Sequence, residues 1–93
     1  MDIRIEEHTG NFAENKDTAR ELRENKIKPA LLKNEKILLD FENIDSTTQS
    51  FIHALISKIF QQKGESALEL FEFKNCSVPV KSLISTVINY SLD

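Results

Sequence analysis

Six polar residues in a row, from Asp45 to Ser50, are the stretch of this sequence best suited to recognition or chemistry. The segment reads DSTTQS and lies between an apolar run and a helical pattern of apolar residues. Ser50 is expected in the first turn of that helix, where backbone N–H groups lack acceptors and the helix dipole is positive. A phosphate on Ser50 would be stabilised there and would oppose docking of an apolar or acidic partner surface. Ser50 is therefore a candidate phosphoacceptor, and a helix-capping residue is the alternative interpretation.

Other reactive side chains lack the companions that a reaction needs. Three carboxylates lie near the end of the apolar run, where open α/β sheets bind ligands: Asp40, Glu42 and Asp45. No base, nucleophile or phosphate-binding loop accompanies them. His8 and His53 have no second ligand at a metal-binding spacing. Cys76 precedes a predicted helix, which could lower its pKa, but a small buried thiol is the simpler interpretation. We expect no enzymatic activity, no metal and no cofactor.

The composition is typical of a small globular protein. The chain has 93 residues, so we expect a single domain over residues 1–93. One cysteine and the lack of an apolar signal or spanning segment favour a reducing cytoplasm over secretion or a membrane. The net charge of -3 and the lack of a basic stripe with interleaved aromatics argue against a nucleic-acid partner.

Basic residues are concentrated in the first third of the chain. Residues 16–36 contain seven basic and four acidic side chains, whereas the remainder is strongly acidic. A basic first helix could attract an acidic protein surface. It could equally be a solvated helix face with i,i+4 ion pairs, and both interpretations stay open.

The central elements must position the polar segment. Ile37 to Phe41 is a continuous apolar run interrupted only by Asp40, which predicts a central strand covered on both faces. Apolar residues from Phe51 to Phe60 recur with helical spacing. Ser46 fits the N-cap of that helix, with Gln49 completing a capping box and Thr47 as an alternative cap.

The rest of the chain alternates strands and helices. We expect an edge strand at Ile3–Ile5, a first helix capped by Asp17, a third strand at Ala67–Phe73 and a last helix starting at Ser77. Pro29 predicts a kink or break in the first helix, near residues 25–28. Phe12, alone in a polar segment, is expected in the core. The order β-α-β-α-β-α predicts an α/β fold with a mostly parallel or mixed sheet of three to four strands and three helices.

The central string ILLDFENIDSTTQSFIHAL resembles the signature of the bacterial STAS-like family, and FKNCS at residues 73–77 resembles its last strand. That family is similar to the STAS domains of anti-anti-sigma factors. Those domains bind a GHKL-type serine kinase and are inactivated by phosphorylation of a serine at the start of a helix. The resemblance places Ser50 on this serine. Thr48 stands where an aspartate is common, and Phe51 stands where a small glycine is common.

Two functional hypotheses follow. The first is a non-catalytic regulatory protein-binding domain, similar to an anti-anti-sigma factor, that engages a GHKL-type ATPase or kinase and is switched at Ser50. Its contact surface would consist of five residues: Asp45, Ser46, Thr47, Thr48 and Gln49. The alternative is a ligand-sensing or assembly module that binds a small anion or nucleotide at the helix N-terminus. A monomer and a homodimer formed through an edge strand, Ile3–Ile5 or Leu68–Phe73, both remain open.

Overall fold

A three-stranded parallel sheet is the main sheet of the protein in the computed structural model, which describes residues 1–93. The strands are β1 (Asp2–Arg4), β3 (Ile37–Asp40) and β5 (Phe71–Lys74), in the order β1-β3-β5. A second sheet pairs two very short parallel strands, β2 (Phe12–Ala13) with β4 (Ser46–Thr47). The predicted α/β fold is confirmed, with β3 central and β1 at an edge.

The protein has three long helices, of which the first two connect strands and the third follows the last strand. We call them the first helix (residues 16–32), the middle helix (residues 49–63) and the last helix (Val78–Leu92). The first helix consists of Lys16–Leu22, a π-helical turn at Arg23–Ile27, and Lys28–Leu32. The middle helix is built in the same way from Gln49–Ile52, a π-helical turn at His53–Ser57, and Lys58–Lys63. The predicted order β-α-β-α-β-α is confirmed for these main elements, with a one-turn helix at Glu6–Thr9 in addition.

Pro29 does not break the first helix. Proline removes one helical hydrogen bond, and its ring collides with the carbonyl four residues earlier. The wider π-helical turn just before Pro29 gives that carbonyl room, so the chain stays helical to Leu32. Of the predicted kink or break near residues 25–28, the break is therefore wrong, while the helix is locally irregular there through its π-helical turn at Arg23–Ile27. The N-cap also differs: Asn15, and not Asp17, accepts from the N–H groups of Asp17 and Thr18.

The N-cap of the middle helix lies two residues after the predicted cap, Ser46. The Thr48 hydroxyl oxygen accepts from the Phe51 N–H at 3.0 Å, so Thr48 is the N-cap. Ser46 and Thr47 instead lie in β4, and the Thr47 hydroxyl donates to the Ala13 carbonyl at 2.7 Å. Ser46 as cap and Gln49 as its capping-box partner were both wrong, because pairing with β2 keeps this segment extended.

The third main strand is shorter than predicted. Residues Gly64–Glu69 form a 3₁₀ helix, and the strand covers only Phe71–Lys74. Gly64 ends the middle helix at φ 64°, as its predicted C-cap role requires. The residues that follow continue as a tight helical turn, in which the Ser66 hydroxyl donates to the Lys63 carbonyl at 2.7 Å. The phase change at Leu70–Phe71 in the sequence marks this boundary.

The hydrophobic core lies on one side of the three-stranded sheet. It is one cluster of 22 buried residues, with Ile37 and Leu39 of β3, Ile3 of β1 and the inner face of the middle helix among them. In a sheet with the order β1-β3-β5, two crossovers of the same hand put both connecting helices on one face.

The other face of the sheet is not covered. It carries six side chains, none of them fully buried: Asp2, Arg4, Leu38, Asp40, Glu72 and Lys74. The prediction that β3 is covered on both faces was wrong. Arg4, Asp40 and Lys74 lie side by side on adjacent strands with alternating charge, which suits a solvated face.

The last helix packs its carboxyl end against the middle helix. Ser77 caps it through the Val80 N–H, as predicted. A buried hydrogen bond joins the Ser57 and Ser91 hydroxyls at 2.7 Å. None of the helices has the length and apolar character needed to span a membrane.

Candidate functional site

Ser50 is the second residue of the middle helix, and its side chain is exposed. The capping bond to the helix comes from Thr48, so the alternative interpretation of Ser50 as the cap is wrong. The backbone N–H groups of Gln49 and Ser50 are the first two of the helix, and such groups have no acceptor within it. An accessible hydroxyl thus lies at the positive end of a helix.

The five residues of the predicted contact surface divide into two kinds. Asp45, Ser46 and Gln49 are exposed beside Ser50, whereas Thr47 and Thr48 are half-buried. The hydroxyls of the two threonines are occupied by the Ala13 carbonyl and the Phe51 N–H. The threonines therefore position the turn, and the exposed three form its outer surface.

Phe12 adds an apolar side chain to this surface. It pairs with Ser46 across the β2–β4 sheet, and the residue is 58% exposed. The expectation that Phe12 lies in the core was wrong, because its neighbour Ala13 takes the inward position on the short strand. In contrast, Phe51 is fully buried, so the bulky residue after Ser50 points into the core and leaves the surface around Ser50 open.

A basic groove borders Ser50 on the outer side of the helices. It has a volume of about 720 Å³, and no acidic residue lines it. We call it the basic groove. Nine residues line it: Lys16, Arg20, Arg23, Gln49, Ser50, His53, Ala54, Lys58 and Tyr90. Sequence reasoning missed it, because its cations come from two helices separated by a strand. The only signal was the excess of basic residues in 16–36.

Arg23 holds the two long helices together at the floor of the groove. It is only 8% exposed and donates through Nη1 to the Ala54 carbonyl at 2.7 Å. This bond joins the π-helical turn of the first helix to that of the middle helix. Its Nε donates to Glu24 at 3.0 Å. Hydrogen bonds from Lys28 and from Arg23 lower the pKa of Glu24.

The remaining cations differ in how they are paired. Arg20 bonds to Asp17 at 3.1 Å, which offsets part of its charge. Lys16 and Lys58 are exposed and belong to none of the ion pairs of the structure. A solvated face with i,i+4 ion pairs was one interpretation of the basic first helix. Such a pair is present at Lys28–Glu24, but Lys16 is not paired in this way. On the other side of the groove, His53 Nδ1 and the Tyr90 hydroxyl are hydrogen-bonded at 2.7 Å.

The other candidate groups are engaged in local structure. The Asn75 side-chain amide and the Glu42 backbone N–H both donate to Asp40 Oδ1. These hydrogen bonds, with that from Asn75 the larger cause, lower the pKa of Asp40. Partial burial raises the pKa of the Cys76 thiol, so the lowered pKa considered from its position before a helix is not found. The structure contains no group of three or more histidine, cysteine or acidic side chains that could hold a metal ion.

Comparison with known families decides the wider relationship. Residues 18–81 match the family described as a STAS-like domain of unknown function (DUF4325). The chain belongs to this STAS-like family. The matched part of the STAS-like domain runs from the first helix to the start of the last one and includes Ser50 and most of the basic groove. Comparisons with curated proteins and with solved structures give no match.

Proposed function

We propose that this STAS-like domain is a regulatory protein-binding domain without catalytic activity, similar to the anti-anti-sigma factor domains. In this proposal it engages a GHKL-type ATPase or serine kinase through the exposed turn, and phosphorylation of Ser50 releases the partner. The observation that carries the proposal is the position of Ser50. Its hydroxyl is exposed in the first turn of the middle helix and is not needed as the cap.

The contact surface in this proposal combines polar and apolar groups. Asp45, Ser46 and Gln49 supply exposed polar side chains, and Phe12 supplies an aromatic one beside Ser46. Thr47 and Thr48 act through the shape of the turn. Aromatic side chains in the middle of a polar patch are typical of protein interfaces. A phosphate beside this patch adds a charge of roughly -1.5 to -2, which opposes an acidic or apolar partner surface.

The test is a capture experiment in the cells of origin with three forms of the protein: wild type, Ser50→Ala and Ser50→Asp. Mass spectrometry identifies the bound proteins and the modification of the Ser50 peptide. We expect wild type and Ser50→Ala to capture a GHKL-type protein, Ser50→Asp to lose it, and a part of the native protein to carry phosphate on Ser50.

Ser85→Asp is the matched control, since Ser85 is exposed in the middle of the last helix and outside the basic groove. It should bind as wild type does. Capture of the same partner by Ser50→Asp as by wild type, together with an unmodified Ser50 peptide, would refute the switch.

A second candidate function is favoured by the basic groove. Its cations and the adjacent helix N-terminus could hold a small anion or a nucleotide, which would make the domain a ligand-sensing or assembly module. A thermal-shift series with inorganic phosphate, ATP and GTP separates the two functions. A saturable rise in the Tm of the domain with one of these compounds, in the absence of any partner protein, supports the second function.

A further inference from the structure

We infer that the basic groove receives an acidic segment of the partner protein, whose Asp and Glu side chains lie between the first and middle helices. This inference deepens the proposed function by naming the chemistry of the partner. It assigns a role to the basic residues of the first helix, which the turn around Ser50 does not use.

Charge is the first argument. The groove is lined by four cations and no carboxylate, although the whole chain carries a net charge of -3. Asp17 and Glu24 lie next to the groove and offset part of the charge of Arg20 and Arg23. Lys16 and Lys58 have no such partner. The positive charge is therefore local to the groove, and complementary charge guides and orients protein association.

The lining of the groove is the second argument. Pockets for small molecules are mostly apolar and enclose most of the ligand surface. Only two of the nine lining residues, Ala54 and Tyr90, are hydrophobic, and the groove is open to solvent. The two unpaired cations lie on different helices, Lys16 at the start of the first helix and Lys58 on the middle helix, so a ligand must contact both at once. A segment with several carboxylates satisfies them better than one small anion does.

The rigid floor is the third argument. The bond from Arg23 to the Ala54 carbonyl ties the two helices together beneath the groove, which favours binding without a rearrangement of the helices. The flexible lysines can adapt to the carboxylates, while the His53–Tyr90 pair closes one side. Preorganisation of this kind lowers the entropic cost of binding.

The groove also explains how one phosphate would act as a switch. Ser50 is part of its lining, so a phosphate there would lie among the same cations that the acidic segment uses. Its charge of roughly -1.5 to -2 would offset much of the net charge of the groove. The modified residue then competes with the partner inside the protein itself, without any change of fold.

The test is an NMR titration of the ¹⁵N-labelled protein with a capped hexaglutamate peptide as the probe. We expect saturable amide shifts at Arg20, Ser50 and His53, and weaker binding in Ser50→Asp. The variant Lys16→Glu/Lys58→Glu should bind roughly tenfold more weakly or not at all, because two attractive contacts become repulsive.

Lys26→Glu/Lys81→Glu is the matched control. Both lysines are exposed, lie outside the groove and form no ion pair, and the control has the same change in net charge. It should keep the shifts. An equal loss of peptide affinity in the two double variants, or amide shifts spread over the whole surface, would overturn the inference. So would an equal response to inorganic phosphate or ATP at lower concentration, which would assign the groove to a small anion.

The titration and the capture experiment fail separately. The peptide titration uses the unmodified protein and needs neither a kinase nor a phosphate. A negative titration therefore removes the acidic-segment inference and leaves Ser50 as a candidate phosphoacceptor. A capture experiment without a GHKL-type partner removes the proposed function and leaves a groove that binds acidic peptides.

Discussion

An acidic residue at position 50 should stabilise the folded protein. In Ser50→Asp the new carboxylate lies at the second residue of the middle helix, next to N–H groups that have no helical acceptor. It also joins the lining that contains Lys16, Arg20 and Lys58. An anion in the first turn of an exposed helix contributes about 0.3–1 kcal/mol. An exposed ion pair contributes roughly 0.2–1 kcal/mol more.

The sum predicts that the free energy of unfolding of Ser50→Asp exceeds that of wild type by roughly 0.5–2 kcal/mol. For a domain of this size, that corresponds to a Tm higher by roughly 2–16 °C. Urea unfolding of both proteins at about 0.01 M and about 1 M salt measures this difference in stability. The Debye length falls from roughly 30 Å to roughly 3 Å between the two conditions, so the higher salt screens the charges. Most of the gain should be lost at high salt.

Two variants separate the sources of the effect. Ser85→Asp puts the same carboxylate in the middle of the last helix, where no free N–H groups are present, and it should give no gain. In the background Lys16→Gln/Lys58→Gln the gain from Ser50→Asp should shrink to the contribution of the helix terminus.

Lower stability of Ser50→Asp than of wild type at low salt would refute the reasoning, as would a gain no larger than that of Ser85→Asp. Either result would mean that the surface around residue 50 is not electropositive. A confirmed gain would show that a negative charge at position 50 is compatible with the folded domain.

Three further outcomes test the local structure. Thr48→Ala should lower the free energy of unfolding by about 1 kcal/mol in urea, whereas Ser46→Ala should change it by less than about 0.5 kcal/mol, because only Thr48 caps the helix. Ser91→Ala should cost about 1–3 kcal/mol and Ser57→Ala about 0.5–1.5 kcal/mol. The Ser91 hydroxyl donates to a helix carbonyl, so its loss leaves the buried Ser57 hydroxyl without an acceptor, and equal costs would contradict this arrangement. Because hydrogen bonds lower the pKa of Asp40 in the folded state, its stabilising effect is present above the pKa of an unfolded aspartate, about 4, and is lost as the pH falls through the folded pKa. The stability difference between wild type and Asp40→Asn should therefore narrow between pH 7 and pH 3 in urea unfolding, and a difference independent of pH would show that Asp40 is not responsible.

Local patterns predicted the elements that depend on local physics. The apolar spacing from Phe51 to Phe60 predicts a helix with one buried face, and the structure buries that face. The short apolar run from Ile37 predicts the central strand. Ser77 and Gly64 were correctly assigned as caps, since capping depends on only a few neighbouring residues.

Three of the wrong assignments share one cause, which is contact between segments that are distant in the sequence. Ser46 has the residue type of an N-cap, yet it lies in a strand because Phe12, thirty-four residues earlier in the numbering, pairs with it. Phe12 was expected in the core for its residue type, and that same pairing turns it outward. The uncovered face of β3 likewise follows from the order of the strands, which no local pattern contains.

The sequence by itself determined the residue types, the helical and strand periods, and the position of Ser50 near the start of a helix. It also contained the excess of basic residues in 16–36. Only the tertiary structure decided that Lys16 and Lys58 face a common groove with Ser50. The reason is that the chain crosses the sheet between the two helices. Which of their faces meet is decided by packing on one side of that sheet and by the contact of Arg23 with the Ala54 carbonyl.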